Sequence, residues 1–162
     1  MEILFIQTGG TIDKDYPKKT KGWAFEINEP AVGRILEKIN PSFSFKILSL
    51  IKKDSMEIDQ KDRSLLLDKC EKSIEKKIII THGTDTIIET AKFLSQIKNK
   101  TIILTGAMRP ERFSNSDANI NIGVAIGGVQ LLKNGVYIAF NGLIIPFDKV
   151  KRNMETGQFI LN

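Results

Sequence analysis

The amino terminus sets the strongest constraint on the fold. Ile3-Leu4-Phe5-Ile6-Gln7 is an apolar run of strand composition that leads without a break into Thr8-Gly9-Gly10-Thr11-Ile12. A buried strand that ends in a double-glycine turn presents backbone N–H groups, with the hydroxyls of Thr8 and Thr11, at the carboxyl edge of a sheet, where open α/β folds bind ligands. The design recurs at Lys77-Ile78-Ile79-Ile80-Thr81, a short β-branched run ending in His82-Gly83-Thr84-Asp85-Thr86. Two hydroxyl-rich loops of this kind can meet over one pocket.

Between and beyond these strands the pattern alternates helix and strand. Pro30 opens a helix with Val32, Ile35, Leu36 and Ile39 at helical spacing, which stops before Pro41. The stretch 43–51 reads as the second strand, with Lys52-Lys53-Asp54-Ser55-Met56 as its exit loop. Asp59 caps a helix expected to run to about Lys76, with Leu65, Leu66, Cys70 and Ile74 on its buried face. A third helix spans 87–96, and a fourth strand spans 101–105. The small-residue helix 120–132 carries Gly123, Ala125, Gly127 and Gly128, which are read as allowing close packing on the sheet. A fifth strand over 135–141 is followed by Asn141-Gly142, a hairpin signal, so 143–145 should return antiparallel. The implied fold is α/β: an open, mostly parallel, Rossmann-like sheet with helices on both faces.

A chain of 162 residues is read as one domain, able to bury roughly 70% of its unfolded surface. Residues 13–28 form a polar loop broken by Pro17 and Gly22, and Trp23 and Phe25 give it the apolar tip of a lid. The single cysteine, Cys70, has no disulfide partner within the chain and reads as a buried structural thiol. A net charge of +5 is spread over dispersed clusters interleaved with acids, which argues for a solvated surface and against a nucleic-acid face. No charged leader or long apolar run opens the chain, so the expected location is the cytoplasm, with no membrane partner. His82 is the only histidine, which excludes a multi-histidine metal site; no GxGxxG or GxxxxGK[ST] loop points to a nucleotide, and no cofactor is expected.

The motifs TGGTI and HGTDT, in this order and followed by Leu104-Thr105-Gly106-Ala107-Met108-Arg109-Pro110, resemble the three signatures of the bacterial-type L-asparaginase family. The resemblance covers nearly the whole chain but only the family's amino-terminal domain, so the second domain is expected to be missing. It implies hydrolysis of L-asparagine or a related small amide to the acid and ammonia, with Thr11 as nucleophile. It also implies Thr84 and Asp85 as a threonine-aspartate pair served by a lysine. The lysine that best matches is Lys151, in Phe147-Asp148-Lys149-Val150-Lys151-Arg152-Asn153. A lysine near Asp85 and Thr84 lowers the cost of deprotonating a hydroxyl, and Asp85 also suits an α-ammonium group. Backbone N–H groups at Gly10 and Gly83 suit an oxyanion or carboxylate.

The resemblance puts Asp54 and Ser55 among the groups that hold the substrate's α-substituents. Lys53 stands there in place of a hydroxyl residue, and either pairs with a carboxylate or blocks the pocket. At the family's lid tyrosine stands Phe25, which moves no proton; Tyr16 is the candidate substitute. The family also implies a small-molecule substrate and a homo-oligomer, taken as a dimer. A catalytically poor descendant that binds an amino acid or another metabolite is the alternative, favoured by Phe25 and opposed by the intact Thr11, Thr84 and Asp85.

Overall fold

Alternation of apolar side chains within the strands decides the layering. The computed structural model describes residues 1–19, 22 and 24–162; Trp23, one of the two expected lid-tip aromatics, lies outside the described residues. In chain order the elements are β1 (Glu2–Gly9), β2 (Lys14–Asp15), β3 (Glu26–Ile27), α1 (Ala31–Ile39), β4 (Ser44–Lys53) and α2 (Gln60–Lys72). They continue as β5 (Lys77–Thr81), α3 (Ile87–Leu94), β6 (Thr101–Thr105), α4 (Ala118–Leu131), β7 (Gly135–Phe140), β8 (Leu143–Pro146), β9 (Val150–Arg152) and β10 (Phe159–Leu161).

Six strands form the main sheet in the order β4-β1-β5-β6-β7-β8, parallel throughout except for β8, which returns antiparallel to β7 after the turn at Asn141-Gly142. Leu4, Ile6, Ile78, Ile80, Ile102 and Leu104 face α2 and α3, which contribute Leu66, Cys70, Ile87, Ala91 and Leu94. Their neighbours Ile3, Phe5, Ile79 and Ile103 face the opposite way, onto Val32, Ile35 and Leu36 of α1 and Ile122, Ala125, Ile126 and Val129 of α4. Because side chains alternate with a period of two, a continuously apolar strand feeds both layers. The expected open, mostly parallel sheet is therefore present, with helices on each face.

Three local expectations change. Helix α2 ends at Lys72; Leu66 and Cys70, four residues apart, are buried and Leu67 packs against the same core in part, while Leu65 and Ile74 are 48% and 78% exposed. Leu65 lies one position off the buried stripe, and Ile74 follows the extended C-cap Ser73. In α4, Ala125 and Gly128 pack inward, and a Cβ on Gly128 would collide with Ile144. Gly123 and Gly127 instead face outward, with nothing within 4 Å of where a Cβ would stand. Parts of the stretch read as a loop after β1 are regular: a 3-10 turn at Thr11–Asp13 leads into β2, which pairs with β3.

Candidate active site

Parallel pairing of β1 with β5 sets Gln7 opposite Thr81, so the loops leaving both strands emerge side by side at one sheet edge. Thr8 Oγ1 donates to the Thr81 carbonyl at 2.8 Å and joins the strand ends. Gly10 then adopts φ +86°, and a Cβ there would run into the Gly83 backbone. Only glycine combines that backbone conformation with that approach. The loop after β4 closes the third side: Gly10 N–H donates to Lys53 O at 3.1 Å, and a Cβ on Gly83 would lie 2.7 Å from Ser55 Oγ.

Thr11 and Thr84 flank the Gly10–Gly83 contact, each half-buried. Neither hydroxyl has a hydrogen-bond partner among the described residues, in contrast to the hydroxyls of Thr8, Thr81, Thr86, Thr90 and Thr105. Ser55 is 1% exposed and works from beneath: its Oγ accepts the Asp85 N–H at 3.2 Å, and its carbonyl accepts Thr86 Oγ1 at 2.7 Å. It shapes the Thr84-Asp85 loop rather than facing solvent. Asp54 is held by Lys14 Nζ at 2.8 Å and caps the 3-10 turn Ser55–Glu57 through Met56 N–H. The Lys14 hydrogen bond, more than the backbone ones, lowers its pKa from the usual carboxylate value. Lys53 turns away to Asp62, at 2.7 and 3.0 Å, and neither plugs the site nor offers it a free ammonium.

The cation at Asp85 is Arg152. Its Nη1 lies 2.8 Å from Asp85 Oδ1, its guanidinium carbon sits 5.7 Å from the Phe159 ring centroid, and its Nε donates to Gly157 O at 3.4 Å. The β9–β10 ribbon sets this choice, pairing Arg152 with Phe159 and Lys151 with Ile160. Successive side chains on a strand point to opposite faces, so the strand that aims Arg152 at Asp85 aims Lys151 elsewhere, where it is exposed. Reading for a lysine, the residue type able to give up its proton, leads to Lys151. The signal for Arg152 lies in the alternation buried Val150, exposed Lys151, half-buried Arg152, and depends on pairing with β10.

Beneath the edge lies a second set of polar groups. Asp13 Oδ1 accepts the Ala31 N–H at 2.8 Å and Oδ2 accepts Thr81 Oγ1 at 3.4 Å; burial, partly offset by these bonds, pushes its pKa up to about 6. His82 is completely buried, with Nδ1 2.8 Å from Gly83 O and Nε2 2.9 Å from Thr90 Oγ1. A carbonyl only accepts, so Nδ1 carries the proton and Nε2 takes the Thr90 hydroxyl. Burial lowers the His82 pKa to about 4 and keeps the ring neutral. The Gly106-to-Pro110 loop is braced by Asp117, which accepts the Met108 and Arg109 N–H groups, while Asn121 Nδ2 donates to Gly106 O at 3.0 Å. The expected lid residues come together, Tyr16 stacking edgewise on Phe25 at 5.0 Å and Phe25 on Phe113 at 5.8 Å.

Among the described residues no group of three or more His, Cys, Asp and Glu is gathered around a possible metal, and no helix is long and apolar enough to cross a membrane. The site is thus an edge of hydroxyls, backbone N–H groups and one paired carboxylate. That inventory suits acyl transfer from an amide.

Residues 2–158 match the family model for the asparaginase N-terminal domain. Glutaminase-asparaginase from Acinetobacter glutaminasificans is 27% identical over 98% of the chain and 52% of its own length. Among solved structures, the thermostable L-asparaginase from Thermococcus kodakarensis superposes with TM-score 0.83 at 25% identity, over 99% of this chain and 51% of that one. A probable cytoplasmic L-asparaginase from Campylobacter jejuni gives TM-score 0.81 at 26% identity, over 98% and 52%. The fold and the edge site define an open α/β protein with a hydroxyl-rich site at the carboxyl edge of its parallel sheet. The chain belongs to the asparaginase family, matching its N-terminal domain, and spans about half the length of these relatives.

Proposed function

We propose that the protein hydrolyses the side-chain amide of L-asparagine, or of a related small amide, in the cytoplasm and as a homo-oligomer. The observation that carries this reading is the Gly10–Gly83 contact, which draws the Thr11 and Thr84 loops onto one edge with both hydroxyls unpartnered among the described residues. Thr11 Oγ attacks the amide carbon and its proton passes to Thr84 and on to water; backbone N–H groups of the glycine turns receive the oxyanion. Ammonia leaves with a proton from solvent, and a water molecule then cleaves the acyl-threonine to release the acid. Asp85 keeps Oδ2 for the substrate's α-ammonium group while Oδ1 stays with Arg152. A guanidinium holds its proton across the working pH range, so Arg152 supplies charge to this site and no base.

Ammonia release from millimolar L-asparagine, measured for the purified protein beside Thr11→Ala, tests the reading. Turnover abolished by the substitution supports it, and silence in both overturns it for this substrate. A second reading rests on Phe25 and Arg152, since neither side chain passes a proton: a binding module for an amino acid or other small metabolite. That module would be thermally stabilised by its ligand in wild type and in Thr11→Ala alike, without ammonia.

A further inference from the structure

Behind the Thr11 turn lies a buried carboxylate that the proposed reaction does not use. Glu111 follows Pro110 in the loop between β6 and α4, and its side chain is 3% exposed. One helix occupies both of its oxygens: Arg34 Nε donates to Oε2 at 2.7 Å and Lys38 Nζ to Oε1 at 2.9 Å. Arg34 and Lys38 stand four residues apart on α1, hence on one face. The Glu111 N–H meanwhile donates at 3.2 Å to the carbonyl of Ile12, the residue after Thr11.

These contacts close a circuit around the turn. Asp13, its last residue, holds the start of α1 through the Ala31 N–H; α1 holds the Glu111 carboxylate, and Glu111 holds Ile12. The Ile12 side chain is buried in one cluster with Val32, Ile35 and Leu36 of α1. The next two residues extend the grip along the loop that leaves β1: Arg112 Nε pairs with Asp15 Oδ2 at 2.8 Å, and Phe113 meets Phe25 edgewise. Stability alone does not account for a glutamate at this position. Burial strips a carboxylate of water, and an apolar side chain of similar volume often serves the fold as well or better. What the ion triad adds is direction, because two charge-assisted bonds from one helix fix where residue 111 stands, and its N–H with it.

We propose that Glu111 is a positioning residue for Thr11, setting the attacking hydroxyl through Ile12. The proposal rests on Thr11 as the nucleophile, the reading given above. Displacing an attacking group by about 1 Å can cost about a hundredfold in rate. Asp85 lies on the other loop and is untouched by such a shift, so the loss falls on kcat and spares KM.

Amide hydrogen exchange and asparagine kinetics of the full chain test it, in Glu111→Gln, in Lys38→Met, which leaves Arg34 in place, and in Glu75→Gln as control. Glu75 is also buried and pairs with Lys46 at 2.7 Å, but it precedes β5, at the end of the sheet opposite the site. The reporting amides are Asp13, bonded to Gly10 O, Lys14, bonded to Thr11 O, and Ala31, bonded to Asp13 Oδ1. In Glu111→Gln these should exchange about tenfold faster while Ile79 and Ile80 keep wild-type protection, and kcat should fall about tenfold with KM within about twofold. Lys38→Met should give a smaller change at the same amides, and Glu75→Gln none. Wild-type exchange at these amides in Glu111→Gln overturns the proposal, as does faster exchange shared by Ile79 and Ile80, or an unchanged kcat. If Glu111→Gln does not fold, Lys38→Met decides by the same criteria. Wild type that is silent toward asparagine defeats the asparaginase reading alone, and exchange then decides whether Glu111 places the turn.

Discussion

Thr8 and Thr81 lie in the last two residues of the neighbouring strands β1 and β5, and Thr11 and Thr84 follow them by the same three residues. The inner threonines are buried and direct their hydroxyls into the protein, Thr8 to the Thr81 carbonyl and Thr81 to Asp13. The outer threonines are half-buried and direct theirs to no described residue. The carboxylates part company: the first loop turns Asp13 inward to hold the start of α1, and the second turns Asp85 outward to Arg152. One local pattern thus yields a structural carboxylate and a functional candidate, and the direction of the turn after each glycine decides which is which.

The contact between the loops is where the comparison breaks most violently. Gly10→Ala must adopt φ +86° and drive a methyl into Gly83, whereas Gly142→Ala meets a similar φ of +81° with open space around it. We expect Gly10→Ala to cost about 3 kcal/mol or more and Gly142→Ala about 1 kcal/mol, read as urea midpoints. Equal costs would mean that the two loops do not touch.

Buried titratable groups give the next effect, and their signs oppose. Asp13 has a folded pKa near 6, above its unfolded value, so its contribution is fully present below about pH 4 and is lost as pH rises to 6. His82 has a folded pKa near 4, below its unfolded value of 6.5, so its contribution is present above 6.5 and lost as pH falls through 4. Between pH 4 and 6 the two slopes cancel. Asp13→Asn should therefore leave stability that climbs with pH across this window, and His82→Asn, which keeps a donor for Gly83 O, stability that falls. Each slope is about 1.4 kcal/mol per pH unit at most, followed by denaturant titration at stepped pH. Parallel profiles for the two variants would remove the assignment of one carboxylate inward.

Much of this arrangement is legible in the residues. Runs such as Ile78-Ile79-Ile80 define strands buried on both faces, and the two glycine turns mark the edge where they end. What stays hidden depends on phase or on distant pairing. Apolar residues surround α4 on every side, so periodicity cannot show that Gly123 and Gly127 face outward while Gly128 packs inward. The β9–β10 ribbon has strands of three residues each, too short for a pattern, and its register alone decides that Arg152 and not Lys151 reaches Asp85. Ser55, expected from the resemblance to face the substrate, is buried beneath Gly83, and only the packing of the two loops reveals it.

Inner and outer threonines should separate cleanly in a smaller experiment. Thr8→Val removes a buried hydroxyl bonded at 2.8 Å, and is expected to cost about 1–2 kcal/mol while lowering any turnover only in proportion to the folded fraction. Thr11→Val should leave the melting temperature within about 2 °C of wild type, because no described group depends on its hydroxyl. Its activity should vanish nonetheless. The reverse pattern would make Thr8 the reacting residue and Thr11 the brace.

The smallest effect on stability, and the sharpest on mechanism, belongs to Arg152. Its partner Asp85 has a side chain 49% exposed, so the ion pair is worth no more than about 1 kcal/mol, and Arg152→Met should unfold close to wild type. Arg152→Lys keeps the positive charge and adds a group able to release its proton. If Arg152 serves Asp85 by charge alone, Met should cost turnover while Lys retains it, with no new pH dependence between 6 and 9 in the rate. A rate that rises in Arg152→Lys and gains a basic limb would show that this site is short of a proton carrier. In that case the guanidinium, clamped between Asp85 and the Phe159 ring, is what holds the second loop back from full activity.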